Sequence, residues 1–178
     1  MDIRIENLTK KYGGQRAVDQ ISFEVKTGEI VGFLGPNGAG KTTTMRMITS
    51  FITPTEGSIS IGGKLLEDHA DEIKKHIGYL PENNPLYPDM PVIDYLEYVA
   101  GLQGIPKDEI FPRVIEMIRI TGLNPEKHKK IGELSKGFRQ RVGLAQAMIH
   151  DPEILLMDEP TSGLDPNQIV EIRQLIRE

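Results

Sequence analysis

The segment Gly35-Pro-Asn-Gly-Ala-Gly-Lys-Thr42 fits the pattern Gly-x-x-x-x-Gly-Lys-Ser/Thr. It follows a short apolar run and precedes a stretch with helical spacing, which is the context that this pattern requires. Glycines allow successive backbone N–H groups to point inward around an anion, and a helix N-terminus adds partial positive charge. Lys41 can reach the terminal phosphates of a bound nucleotide, and the Thr42 hydroxyl can bind Mg²⁺. The predicted phosphate-binding residues are Gly35, Pro36, Asn37, Gly38, Ala39, Gly40, Lys41, Thr42 and Thr43.

A pair of acidic residues ends a second apolar segment, Ile154-Leu-Leu-Met-Asp-Glu159. An aspartate at the C-terminal end of a buried strand beside a phosphate loop can hold Mg²⁺ through water, which is the role predicted for Asp158. Glu159 is then placed to orient or deprotonate an attacking water. An apolar strand that ends in two acids is common by itself. Together with the phosphate loop, it predicts a nucleoside triphosphate site.

Length and composition exclude several classes of protein. The chain has 178 residues with 38% hydrophobic and 26% charged, which fits one ordinary globular domain. Absence of cysteine excludes disulfides, zinc-thiolate sites and iron–sulfur clusters from this chain. The net charge of -5 argues against nucleic acid as a main partner. The longest run without a charge or histidine, residues 30–40, is too short and too rich in glycine for a membrane span, so no direct membrane insertion is expected.

The hydrophobic pattern predicts an α/β domain with a smaller helical subdomain. Residues 30–34 are continuously apolar, as expected for a strand covered on both faces. A helix is predicted from Gly40 to about Phe51, with Met45, Ile48 and Ile52 on one buried face. Further strands are predicted at residues 3–8, 21–25, 58–61, 77–80 and 153–158. Helices are predicted between residues 92 and 149. A last helix is predicted from residue 169, and it has no ending signal before residue 178.

Ser135 has the sequence context of a helix N-cap. It precedes the helical stretch from Lys136 to Ile149, and Gly137 would allow a backbone to approach closely. A capped helix N-terminus can bind an anion, far in sequence from the phosphate loop. Taken alone, the pattern predicts only a capped helix.

Four motifs occur in the order phosphate loop, Leu134-Ser-Lys-Gly137, Asp158-Glu159 and Ser162-Gly-Leu-Asp165. In this order they resemble the ATP-binding subunit of an ABC transporter, over the whole chain. Leu80-Pro-Glu-Asn83 is similar to the branch that includes bacterial exporters and gliding-motility subunits. The resemblance implies a P-loop NTPase core, a mixed sheet with antiparallel N-terminal strands, plus a helical signature subdomain. The core would comprise residues 1–84 and 151–178 and the subdomain about residues 85–150.

The resemblance also implies individual roles for residues outside the phosphate loop. Tyr12 matches the aromatic residue that stacks on adenine, with Val18 as a lesser contact. Ser135, Lys136 and Gly137 match the signature that contacts the ATP of the opposite subunit, and Asp165 matches the loop that couples the two sites across the dimer. Glu159 would be the catalytic residue.

The sequence departs from the family pattern at several positions. Glu82 stands where a glutamine that contacts Mg²⁺ is common, and a carboxylate can also bind the metal, so the resemblance implies Glu82 as a further Mg²⁺ ligand beside Thr42 and Asp158. Lys136 and Phe138 stand where glycine and glutamine are common. All four histidines precede Asn167, whereas the switch histidine of the family follows the helix that begins there. We therefore expect that the domain is truncated at its C-terminus and that residues 1–178 alone bind nucleotide with weak or no hydrolysis.

The implied assembly is an ATPase that binds ATP with Mg²⁺ and powers a transmembrane permease subunit, in an exporter. Two ATP-binding subunits would form a head-to-tail dimer, a homodimer in the simplest case, held by the permease at the cytoplasmic face of the cell membrane. Residues Val92 to Leu102 are the expected docking surface for the permease. A soluble ABC-type ATPase of DNA repair or translation shares these motifs and remains the alternative. A nucleotide sensor without turnover is disfavoured, because it has no use for a base at Glu159.

Overall fold

The computed structural model describes residues 1–161, 164, 166–167 and 169–171. The strands are β1 Ile3–Tyr12, β2 Gln15–Val25, β3 Glu56–Ile61, β4 Lys64–Leu65, β5 Ile77–Leu80 and β6 Ile154–Met157. The helices are α1 Lys41–Ile48, α2 Leu66–Lys74, α3 Val92–Leu102, α4 Lys107–Ile120 and α5 Lys136–Met148. The chain divides into two compact units, Met1–Ile77 and Gly78–Glu178. Among the described residues, no helix is long and apolar enough to cross a bilayer. The predicted last helix lies largely outside the described residues.

The first unit is built on an antiparallel sheet with strand order β2-β1-β3-β4. Ile3 pairs with Ile61 and Ile5 with Ile59, and the four side chains are buried on one face. This period-two pattern is the one that predicted the N-terminal strands. In α1, however, Met47 and Ile48 are the buried apolar residues and Met45 is only half-buried. The helix starts at Lys41 and ends before Phe51.

The predicted strand at residues 30–34 is wrong. These residues form neither helix nor strand, and Ile30 and Leu34 are 82% and 93% exposed. An apolar run becomes a buried strand only where neighbouring strands pair with it and other elements cover its faces. No such pairing is present among the described strands. Phe33 alone is anchored, with its ring centroid 5.5 Å from that of Phe23 on β2.

The second unit has a helical core in which α3, α4 and α5 bury one apolar face each. Helical spacing predicts one buried face of Leu96, Val99 and Ala100 and another of Val114, Ile115 and Ile118. All of these residues are buried except Ile115, which is only half-buried. β5 pairs with β6, and the Asp158 N–H extends the pairing by donating to Leu80 O at 2.9 Å. The end of β6 is therefore held directly beside the loop that follows β5.

A partly buried hydrogen bond joins α3 to α5. The Tyr95 hydroxyl donates to Oε1 of Gln146 at 2.7 Å. Burial and the neighbouring Tyr87 raise the pKa of Tyr95 to about 12, so the phenol stays a neutral donor well above physiological pH. The bond fixes how the two helices pack.

Tyr95→Phe is expected to lower the free energy of unfolding by about 1 kcal/mol, because Gln146 loses its donor. Above about pH 10 the unfolded chain ionises this tyrosine while the folded protein keeps it neutral, so wild-type stability falls as pH rises. The difference in unfolding free energy between the wild type and Tyr95→Phe therefore narrows above that pH. Urea unfolding at neutral and alkaline pH measures both effects. Tyr98→Phe, on the exposed side of α3, is the control, and an equal loss in both variants would contradict the role of the bond.

Candidate functional site

The phosphate loop connects the exposed run after β2 to the first turn of α1. Gly38 and Gly40 have φ values of 82° and 88°, a region that glycine adopts without strain. The loop closes through Ala39 N donating to Pro36 O at 3.2 Å, and α1 begins with Thr44 N donating to Gly40 O at 2.8 Å. Predicted residues Gly35, Pro36, Asn37, Gly38 and Ala39 are exposed, whereas Thr42 and Thr43 are half-buried in the first turn of α1.

Lys41 lies folded across this loop. Its Nζ donates to Gly35 O at 2.8 Å and to Pro36 O at 3.1 Å. These acceptors are neutral carbonyl oxygens. A phosphate oxygen carries formal charge and makes a stronger, charge-assisted bond with an ammonium group. Lys41 is therefore held at the loop by bonds that a phosphate can replace.

Gly40 also brings the phosphate loop against β2. A Cβ placed on Gly40 would overlap the carbonyl oxygen of Ala17 and would lie 2.9 Å from Cγ2 of Val18. Val18 is buried, so its side chain supports the loop from beneath. The contact joins the predicted adenine-binding strands to the predicted phosphate-binding loop within one unit. Ala17 was not among the sequence-predicted residues, because no local pattern marks a backbone carbonyl as a contact.

Tyr12 lies at the end of β1 with 53% of its surface exposed. Lys10, one side-chain period earlier on the same strand, places Nζ 5.3 Å from the Tyr12 ring centroid and donates to Thr53 O at 2.7 Å. The cation therefore covers one side of the ring and is itself anchored. The exposed remainder of the ring can stack on a planar base. The sequence interpretation missed Lys10, although its spacing from Tyr12 along a strand is a usable signal.

Asp158 follows β6 and is 2% exposed. Its Oδ2 is buried and has no hydrogen-bond partner in the part of the chain that the structure describes. A buried oxygen of this kind needs a partner, and the described residues do not supply one. Carboxylate oxygen is a preferred ligand of Mg²⁺, which is often held by one or two protein oxygens, nucleotide phosphates and water. Asp158 therefore fits a Mg²⁺ ligand.

Glu159 is exposed and has a φ of 49°. This left-handed conformation costs roughly 1–2 kcal/mol for a residue with a Cβ. Strained residues of this kind are concentrated at functional sites. Four other described non-glycine residues share a positive φ, so what distinguishes Glu159 is the combination of this conformation with a position directly after Asp158.

Ser135 caps α5, as predicted. Its Oγ accepts from Phe138 N at 3.3 Å, and α5 runs from Lys136 to Met148. Ser135 and Lys136 are exposed while Gly137 is buried, so the first two are accessible to a ligand. Glu82 is exposed in the loop after β5. Asp165 lies outside the described residues.

The model of one protein family, the ABC transporter family, matches residues 18–162. The chain belongs to this family. The bacitracin transport ATP-binding protein BcrA of Bacillus licheniformis is 44% identical over 174 residues, covering 98% of this chain and 56% of its own length. The Nod factor export ATP-binding protein I of Ralstonia nicotianae is 38% identical over 164 residues, covering 92% of this chain and 51% of its own length. This chain thus spans little more than half of these ABC proteins.

Solved ABC structures have the same fold. CbiO1 of Clostridium perfringens, described as part of the ABC transporter complex cbiONQ, has a TM-score of 0.87 and 30% identity, covering 98% of this chain and 71% of that one. A dimeric post-hydrolysis state of the ATP-binding cassette MJ0796, bound to ADP and Pi, has a TM-score of 0.87 and 28% identity, covering 98% and 81%. The predicted ABC family and P-loop NTPase fold class are confirmed, as is the assignment to an ATPase family.

Proposed function

We propose that this chain is the ATP-hydrolysing part of an ABC transporter subunit, and that the transporter is an exporter. The observation that carries the proposal is the pair at the end of β6, in which Asp158 Oδ2 is buried without a hydrogen-bond partner among the described residues and the exposed Glu159 follows it. Two relatives are named for bacitracin transport and Nod factor export, which supports export as the process that hydrolysis drives.

The proposed chemistry is attack of water on the terminal phosphate of ATP. Backbone N–H groups of the phosphate loop and the Lys41 ammonium bind the phosphates and stabilise the charge that develops on the transferring group. Thr42 and Asp158 would hold Mg²⁺, with Glu82 as a further candidate ligand. Bound Mg²⁺ neutralises phosphate charge. Glu159 orients the attacking water and accepts its proton.

The proposal includes a dimer with a composite site. Tyr12, and Val18 as a lesser contact, would bind adenine. Ser135 with its neighbours Lys136 and Gly137 would contact the ATP held by a second ATP-binding subunit, and Asp165 would couple the two sites. The dimeric ADP-bound relative supports this arrangement. A capped helix N-terminus that is open to solvent suits the role, because it presents a hydroxyl and partial positive charge to an anion.

A patch of three exposed residues is the proposed contact with a transmembrane permease. The docking patch is Tyr87, Tyr98 and Leu102, each about half exposed or more. Tyr87 and Tyr98 have ring centroids 5.9 Å apart, and Leu102 lies one helical turn beyond Tyr98 on α3. Adjacent exposed aromatic and aliphatic residues are typical of protein interfaces. Association through this patch would hold the protein at the cytoplasmic face of the membrane.

The permease contact distinguishes an exporter subunit from a soluble repair or translation ATPase. Leu102→Glu in the full-length protein, co-expressed with the membrane protein of the adjacent reading frame, is expected to reduce its recovery in the membrane fraction at least about 10-fold, because a buried unpaired charge opposes association. Basal ATP hydrolysis of the purified protein should not change. Recovery in the membrane fraction and phosphate release measure the two effects.

Phe111→Glu provides the matched control, since Phe111 is also apolar and exposed but lies on α4. It is expected to leave membrane recovery unchanged. Equal loss in both variants would contradict the docking patch. A wild-type protein that never enters the membrane fraction with the neighbouring protein would favour the soluble alternative.

A further inference from the structure

The loop after β5 is packed into α5 by Asn84. A Cβ placed on Gly143, in the middle of α5, would overlap Nδ2 of Asn84 and would lie 2.9 Å from Cγ of Asn84 and 2.8 Å from Cδ1 of Leu80. Gly143 is buried and φ there is not in the left-handed region. Glycine is otherwise disfavoured inside a helix. Its presence is explained by the space that the Asn84 amide occupies.

The Asn84 side chain is not satisfied in this position. Nδ2 is buried and has no hydrogen-bond partner among the described residues, although the backbone oxygen of Asn84 accepts from Leu86 N at 2.9 Å. A buried amide without a partner opposes the packing that holds it. Simple filling of the space would be served better by an apolar side chain. The contact therefore keeps a polar side chain where an apolar one would cost less.

Asn84 and Gly143, the two residues of this contact, each share a loop or helix with a residue that has a proposed role in hydrolysis. Glu82, a candidate Mg²⁺ ligand, lies in the same loop as Asn84. Gly143 lies on the helix whose N-terminus carries Ser135, the proposed contact to the second ATP. Tyr87, in the docking patch, follows in the same loop. Fixing Asn84 against α5 thus fixes how Glu82 and Ser135 are placed relative to each other within this unit.

We propose that Asn84 is a positioning residue for ATP hydrolysis, which acts by packing its amide into the space left by Gly143. The inference rests on the proposed function. Asn84 is not one of the predicted phosphate-binding residues, so its loss is expected to leave ATP affinity unchanged. Turnover should fall, because small displacements of groups around the reacting phosphate have large effects on rate.

The test uses the full-length protein and three variants, Asn84→Ala, Gly143→Ala and the double variant. Asn84→Ala is expected to lower kcat about 10-fold with the Kd for ATP within about twofold of wild type. Gly143→Ala displaces the amide and should lower both kcat and Tm. In the double variant the new methyl group has space, so Tm should recover while kcat stays low. Asn83→Ala, at an exposed neighbouring position of the same loop, is the control with unchanged kcat.

Phosphate release gives kcat, binding of a fluorescent ATP analogue gives Kd, and thermal unfolding gives Tm. Wild-type kcat in Asn84→Ala would overturn the proposal. So would recovery of kcat together with Tm in the double variant, since a methyl group in place of the amide would then be enough for turnover. If the wild type itself releases no phosphate, the proposed function has failed, and that result is distinct from either of these.

Discussion

Glu159→Gln is expected to lower ATP turnover by the full-length protein at least about 100-fold while ATP binding persists. Glutamine has the same shape but cannot accept the proton of an attacking water, and loss of a general base costs about 10²–10⁴ in rate. Glu159 is exposed, so the substitution removes no core packing. Phosphate release measures turnover, and titration with a fluorescent ATP analogue measures binding. Unchanged turnover would exclude Glu159 as the base.

Glu159→Gly tests whether the backbone strain at this position serves function. Glycine adopts a φ of 49° without a steric cost, so folding stability should be unchanged or higher by up to about 1 kcal/mol although turnover is lost. Asp151→Gly is the matched control, because Asp151 is exposed with a φ of 56° and has no proposed role in hydrolysis. That variant should keep full turnover. Parallel loss of turnover in both glycine variants would mean that backbone freedom, and not the missing carboxylate, is responsible.

Gly40→Ala is expected to weaken ATP binding at least about 100-fold and to lower the free energy of unfolding by more than about 2 kcal/mol. The substitution forces a residue with a Cβ to a φ of 88°. The added methyl group would also overlap the Ala17 carbonyl oxygen, which belongs to the backbone of a paired strand and cannot rotate away. The phosphate loop must therefore separate from β2. Nucleotide titration and urea unfolding measure the two losses.

Gly38→Ala separates the conformational cost of a positive φ from the cost of overlap with the Ala17 carbonyl oxygen. Gly38 has a φ of 82°, but a Cβ there meets no atom within 4 Å. This variant should show only the conformational cost, about 1–2 kcal/mol, because no collision accompanies it. Similar unfolding free energies for Gly38→Ala and Gly40→Ala would show that contact with β2 is unimportant. Wild-type nucleotide affinity in Gly40→Ala would contradict the proposed loop geometry.

Features that depend on neighbours in the chain could be predicted from the sequence. The Ser135 cap and the helix after it follow from a side-chain oxygen that accepts from the next turn. The antiparallel N-terminal strands follow from alternation of apolar side chains. The family followed from the order of four motifs, and the match over residues 18–162 confirms it. The roles of these motifs in binding and hydrolysis stay predictions, and the substitutions above test them.

The helix cap, the alternating strands and the family could be predicted from the sequence, because caps and periodicity involve residues within one or two turns of each other. Burial and close approach depend on the folded chain. Residues 30–34 are exposed despite an apolar sequence, because burial depends on which strands pair with them. Gly40 is required by Ala17, and Gly143 by Asn84, through contacts between residues far apart in the chain. Such contacts leave no periodic signal in a sequence, since each depends on where the folded backbone brings two segments together.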